Sequence, residues 1–198
     1  MCGVFKGSDF VNNLYGNEIR ALYDDKTIRV YQAYNRYIAE EAVRLGTFGE
    51  HFSLNRMTWI KPSFLWMMYR CGWAKKEGQE RVLAIDITRE GFEHAFNNAV
   101  ISSYKEGCGL TREEWKDLIA KSNVRIQWDP EKDLYGNNLP YRSLQMGLRG
   151  EAVRSYVSDW IVNVEDITDW VRSLDEMRNQ KIDISSMLPI EKLYSIEQ

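Results

Sequence analysis

Apolar positions along the chain switch repeatedly between a period of two and a period near 3.6, so short strands and helices are expected to follow one another. Ile28 to Tyr34 (IRVYQAY) alternates and is rich in β-forming residues, which predicts a strand. Asn35 then caps a helix in which Ile38, Ala42 and Leu45 share a face and Gly46 ends the run. Arg56 to Ile60 predicts a second, short strand. Pro62 suits the first turn of the next helix, with Phe64, Met67, Met68 and Cys71 on one side and Gly72 as its stop.

Arg81 to Thr88 (RVLAIDIT) reads as a buried strand, and Thr88 caps a helix that turns Phe92, Ala95, Phe96 and Ala99 inward. Thr111 and Glu114 have the spacing of a capping box ahead of a helix carrying Trp115, Leu118 and Ile119. Val124 to Trp128 is a further strand, which Asp129-Pro130 is expected to break. A loop is expected from Glu131 to Pro140, where Gly136-Asn137-Asn138 falls, and a strand from Arg142 to Leu148. Two helices, about Glu151 to Ile161 and Glu165 to Met177, complete the pattern. Strands and helices mix without the regular alternation of a doubly wound sheet, which selects a single α+β domain over 17–178. A loose arm is expected over 1–16 and an irregular tail, wrapping the body, over 179–198.

Composition narrows the function classes. A net charge of -3 argues against general affinity for nucleic acid, although 26 Lys and Arg leave room for a local basic groove. Cys2, Cys71 and Cys108 form no CxxC pair, so neither a disulfide framework nor a zinc knuckle is expected. With only His51 and His94, far apart, a His-based metal site and a Ser-His-Asp triad are not expected either. Neither a GxxxxGK[ST] loop nor a GxGxxG fingerprint occurs. The N-terminus shows no charged region followed by a long apolar run, and Phe64 to Met68 is too short to span a bilayer. The expected compartment is the cytoplasm, without membrane contact.

Three segments could carry chemistry. In RMTWIKPSFLWMMYR (Arg56 to Arg70), Arg56, Lys61 and Arg70 are interleaved with Trp59, Trp66 and Tyr69, while Thr58 and Ser63 add hydroxyls. Cations, rings and a helix start together suit a nucleotide, with rings for the base and charges for the phosphates. The competing reading is a core helix whose cations snorkel to solvent. On the first strand Gln32 and Tyr34 point the same way and could share a cleft, or form a wet outer face. Gln127-Trp128-Asp129-Pro130-Glu131 places two carboxylates at a strand end, where one could hold a ribose hydroxyl or stabilise an oxocarbenium ion, or simply build a turn. Arg142, Ser143 and Gln145 return beside them.

Five stretches carry a family resemblance: IRALYDDKTIRVYQAYNRYIAEEAV, RMTWIKPSFLWMMYRCGWAKK, Gln79 to Ile85, VRIQWDPE and YRSLQMGLRG. On these, from about Ile19 to Trp170, the chain resembles the family catalogued as domain of unknown function 4291. The resemblance implies a link to the ADP-ribosyltransferases, hence a small split mixed or antiparallel sheet with flanking helices, NAD as substrate and no metal. It implies that Gln32 and Tyr34 take the first-strand position, Gln32 among the catalytic groups. Arg56, Lys61 and Ser63 would hold phosphates or ribose, with Thr58, Trp59, Arg70 and Gln127 also on the cofactor side. Glu131, or else Asp129, would be the late carboxylate. Gln127-Trp128-Asp129 is at most a distant counterpart of the late-sheet motif of that group. The expected activity is ADP-ribosyl transfer from NAD to a protein side chain or nucleic acid. The alternatives are a non-catalytic nucleotide- or RNA-binding module and an interaction protein docking through Trp160 and Trp170.

Overall fold

A computed structural model describes residues 18–104, 106 and 109–196. The expected 1–16 arm lies outside the described residues, as do Cys2 and Cys108. In chain order the strands are β1 (Arg20–Ala21), β2 (Thr27–Tyr34), β3 (Thr58–Ile60), β4 (Arg81–Thr88), β5 (Val100–Ile101), β6 (Val124–Lys132), β7 (Asn138–Leu148), β8 (Ile161–Asp166) and β9 (Lys192–Leu193). The helices are α1 (Arg36–Leu45), α2 (Phe64–Cys71), α3 (Arg89–Asn97), α4 (Arg112–Lys121), α5 (Glu151–Ser155) and α6 (Thr168–Asn179). The chain is thus one α+β unit with antiparallel and mixed sheets.

Two sheets dominate. One is antiparallel, in the order β2-β4-β8, and the other runs β3-β7-β6-β5 with β5 parallel to β6. They meet at one seam, where the Tyr31 amide donates to the Lys61 carbonyl at 2.7 Å. β4 is central and buried on both faces, which explains its nearly unbroken apolar run. Its Leu83, Ile85 and Ile87 enter a core shared with Ile126, Leu144 and Met146 of the second sheet and with Ala39, Phe92 and Phe96 of α1 and α3. Its Val82 and Ala84 face a second core closed by Phe64, Met67 and Met68 of α2 and Val171 and Leu174 of α6.

The helix starts follow their capping residues. Asn35, Thr88 and Thr111 each accept an N–H from the first turn, and Thr111 with Glu114 completes the capping box. Such a cap contributes about 1 kcal/mol. Pro62 lies one residue outside α2, because Ser63 is the cap and accepts the Trp66 amide at 3.1 Å. After Gly72 the chain stays left-handed through Trp73 (φ 55°) and Ala74 (φ 63°), a conformation that disfavours side chains. Arg178 over the Trp73 ring at 4.8 Å and the Lys75–Asp175 ion pair hold that loop against α6.

Three expectations need correction. Asp129-Pro130 does not break β6, which pairs with β7 as far as Lys132; the register shifts between Pro130 and Lys132, a bulge just beyond the proline. The loop shrinks accordingly to 133–137, where Asp133 accepts the Tyr135 and Asn137 amides at 2.8 and 2.9 Å. The helix after Gly150 passes at Tyr156 into a π-helical turn ending at Trp160, and Ile161–Asp166 is an edge strand of the first sheet. Within the otherwise irregular tail, β9 pairs with β1, and Tyr194 is buried. No helix among the described residues is long and apolar enough to cross a membrane.

Candidate functional site

The pleat of β6 sends Val124, Ile126 and Trp128 into the core, so Gln127 and Asp129 face the other way. Register places Gln145 of β7 opposite Gln127, on the same outer face. Trp59 of β3 joins that face because it pairs with Gly147. Glycine there leaves room for the ring, since a Cβ would stand 2.7 Å from Met57 Sδ and 3.0 Å from the Trp59 ring and one of them would have to shift. These residues, with Gln32 and Tyr34 from β2, Arg56 and Thr58 at the start of β3, Lys61, and Trp66, Met67, Tyr69 and Arg70 from α2, line a cleft of about 670 Å³.

Asp129 is oriented by two amides. Gln127 Nε2 donates to Oδ1 at 2.8 Å and Gln145 Nε2 donates to Oδ2 at 2.5 Å. Behind it sits a neutral network. Gln32 Nε2 donates to Thr58 Oγ1 at 2.7 Å, to Tyr34 Oη at 2.8 Å and to the Trp59 carbonyl at 3.2 Å. Tyr156, from the π turn, donates its hydroxyl to Gln32 Oε1 at 2.7 Å. Burial pushes the Tyr34 and Tyr156 phenols well above their ordinary range, so both stay protonated as donors.

The cations differ in character. Arg56 and Arg70 are exposed. Lys61 is buried at 5% exposure, and its ammonium reaches the Trp59 carbonyl at 3.3 Å. Burial lowers its pKa to about 8, helped by the like charge of Arg70 and opposed by Cys71 and Asp129. On the α2 side Trp66 and Tyr69 stack at 5.4 Å, and Lys132 Nζ lies 4.1 Å from the Tyr69 ring centre.

Nine of the eleven residues singled out from the sequence therefore meet in one place: Gln32, Tyr34, Arg56, Thr58, Trp59, Lys61, Arg70, Gln127 and Asp129. Glu131 and Ser63 do not line the cleft. Glu131 is buried at the bulge, accepting the Lys132 amide at 2.8 Å, and Ser63 caps α2. The first turn of α2, expected to attract an anion, is already occupied from within the chain: the Glu191 carboxyl of the tail accepts the Phe64 amide at 2.7 Å. Burial raises the Glu191 pKa to about 8, with Glu131 adding to the rise and the Phe64 amide and Arg20 opposing it.

Other candidates lie away from the cleft, Arg142 exposed and Trp160 and Trp170 half-buried. Arg142 donates to the Trp128 carbonyl at 3.0 Å, Trp160 covers Gly91, and Trp170 lies 5.2 Å from the Phe64 ring centre. His51 pairs with Glu41, and no group of three or more His, Cys, Asp or Glu among the described residues could hold a metal. Gln79 also lines the cleft, from an irregular loop, and Tyr156 reaches its back from a turn that reads as ordinary helix; neither was singled out as a site residue from the sequence. Gln145 was legible, since alternation back from Leu148 sets it opposite the core positions.

No curated protein matches the chain. Residues 18–194, nearly the whole length, match the family described as Domain of unknown function (DUF4291), and the chain belongs to that family.

Proposed function

We propose that the cleft binds a nucleotide and, with NAD+ as that nucleotide, transfers its ADP-ribose to a protein side chain or nucleic acid. The observation that carries this reading is the convergence of Arg56, Lys61, Arg70, Trp59, Tyr69 and Asp129 on one cleft of about 670 Å³. That volume lies within the range of ligand sites, roughly 300–1,000 Å³. The cations supply the counter-charge for a pyrophosphate, and exposed ring faces suit a base or nicotinamide.

In the proposed step the bond from ribose C1′ to the nicotinamide nitrogen breaks, and its electron pair neutralises the pyridinium. Positive charge develops on C1′ and the ring oxygen. Asp129, held by Gln127 and Gln145, faces that charge as a fixed carboxylate. An acceptor lone pair then bonds C1′, and the acceptor proton leaves to solvent or carboxylate. Of the two carboxylates the resemblance offers, Asp129 is preferred because Glu131 is outside the cleft.

Transfer from adenine-labelled NAD+ tests this. Asp129→Asn is expected to slow labelling by about 10²–10³-fold with NAD+ still bound, the usual effect of losing one charge-stabilising group, whereas Glu131→Gln is expected to transfer normally. Absence of saturable NAD+ binding, or full transfer by Asp129→Asn, refutes the reading. A second reading, nucleotide binding without catalysis, is favoured by the Trp66–Tyr69 stack and the exposed Arg56 and Arg70. It expects base stacking, with affinity that falls steeply with salt and no label transfer.

A further inference from the structure

We infer that Lys61 is a reactive amine that captures phosphate-bearing aldehydes as an imine, making the cleft a covalent trap for anionic carbonyl compounds. The argument begins with the amine's surroundings. Lys61 is buried at the back of an open cleft, its side chain makes one hydrogen bond, to the Trp59 carbonyl at 3.3 Å, and no carboxylate of the described residues pairs with it within 4.0 Å. A lysine withdrawn from water without a counter-ion is biased toward its neutral, nucleophilic form. The charged and titratable groups facing it are Arg70 and Cys71 from α2 and Asp129 from β6. Of these Arg70 deepens the bias, while Cys71 and Asp129 only moderate it.

The site also holds what an anionic aldehyde needs besides the amine. Arg56 and Arg70 line the same cleft from its exposed side and can receive a phosphate. Asp129 offers a carboxylate for the proton transfers. The Nζ lone pair attacks the carbonyl carbon, and the carbonyl electron pair moves to oxygen. Proton transfer gives a neutral carbinolamine, and water departs as the nitrogen lone pair forms the C=N bond. No oxidant or reductant is consumed, and hydrolysis reverses the step.

The chain has eleven lysines, so selectivity is the measurable quantity. With a pKa near 8 against the ordinary 10.5, about a quarter of Lys61 is neutral at pH 7.5 against about 0.1% of an ordinary lysine, a bias of roughly 200-fold. Lower basicity and restricted access offset part of this, leaving at least about a tenfold preference.

The test treats the full chain with glyceraldehyde 3-phosphate and cyanoborohydride, which fixes an imine as a secondary amine, and maps the modified lysines by peptide mass. Lys61 is expected to be labelled first and saturably, at least about tenfold faster than the mean of the other lysines. Its rate is expected to rise from pH 6.5 to 9 with a midpoint near 8, and to fall in Arg56→Ala/Arg70→Ala or with unphosphorylated glyceraldehyde. Labelling spread evenly over the lysines, or a Lys61 rate indifferent to the phosphate, overturns the proposal. The mapping uses the unaltered protein, so no variant need fold. The inference does not rest on NAD+: failed NAD+ binding leaves it standing, and failed labelling leaves the transfer reading standing.

Discussion

Replacing Tyr156 by Phe removes one oxygen from the interior and isolates a single hydrogen bond for measurement. The Tyr156 hydroxyl donates to Gln32 Oε1 at 2.7 Å, and Gln32 is 2% exposed, so water cannot take over the orphaned acceptor. Turning the amide over would not help, because it would withdraw Nε2 from Thr58, Tyr34 and the Trp59 carbonyl. The ring remains, so the packing change is minor. The cost is that of a buried unsatisfied carbonyl, about 1–3 kcal/mol. At a urea slope near 2 kcal/mol/M the unfolding midpoint is expected to drop by about 0.5–1.5 M with the slope unchanged. Gln32→Leu orphans the Tyr156 hydroxyl instead, while Tyr34 and Thr58 keep their mutual bond at 2.7 Å. The double variant removes both orphans, so it is expected to be more stable than the sum of the singles by about 1–2 kcal/mol. A Tyr156→Phe midpoint within about 0.2 M of wild type, or additive losses, would refute the claim that this bond organises the back of the cleft.

Two further changes test the surroundings. Gly91→Ala sets two effects against each other: Ala is better than Gly in a helix by at most about 1 kcal/mol, less in the first turn where Gly91 sits, but the new Cβ would lie 2.4 Å from Trp160 Cγ. The clash is expected to win, with a net loss of about 1–3 kcal/mol in chemical denaturation; a gain in stability would mean that Trp160 moves freely. Glu191 provides a pH signature. Its folded pKa is raised from 4.5 to about 8, so the stability tied to its neutral form is complete below 4.5 and is lost as pH rises through 8. Glu191→Gln keeps an acceptor for the Phe64 amide and is expected to flatten that decline, matching wild type near pH 4.5 and exceeding it at pH 8. Parallel stability profiles for the two proteins would show that Glu191 titrates normally.

The legible parts of the fold were those with local causes. Asn35, Thr88 and Thr111 announce helix starts because a side-chain oxygen satisfies an N–H three residues on, whatever the rest of the chain does. The run Arg81–Thr88 reads as a buried strand because both of its faces are covered. The misread parts have distant causes. Ile161–Asp166 pairs with Leu83–Ile87, and neither partner is visible to the other in a local window. Pro130 stays inside β6, still opposite Arg142, with the register shifting just beyond it, and no composition rule forecasts that shift. The site divides the same way. Alternation alone put Gln32 and Tyr34 on one face, while Asp129 joins Gln127 only because β6 runs on past Trp128, and the meeting of the two faces depends on the two sheets. Glu131 was the first choice over Asp129 from the sequence, but it lies past the register shift at Pro130 and outside the cleft.

The seam between the sheets explains why chemistry gathers where it does. β2 and β3 are joined by the Tyr31–Lys61 bridge, just after β3 ends. Before that point the strands separate, and the space between them is filled by side chains: Gln32, Tyr34 and Thr58 replace backbone pairing with hydrogen bonds of 2.7 and 2.8 Å. A splayed seam leaves backbone polar groups to be satisfied, and Gln32 does this for the Trp59 carbonyl. That carbonyl is also where Lys61 places its ammonium. The amine is thus delivered by the residue that bridges the two sheets into the gap that begins beside it, with its backbone fixed and its side chain committed to the interior. Burial of Lys61 follows from the topology of the split, and the charge of the cleft follows from Lys61 and its two arginine neighbours.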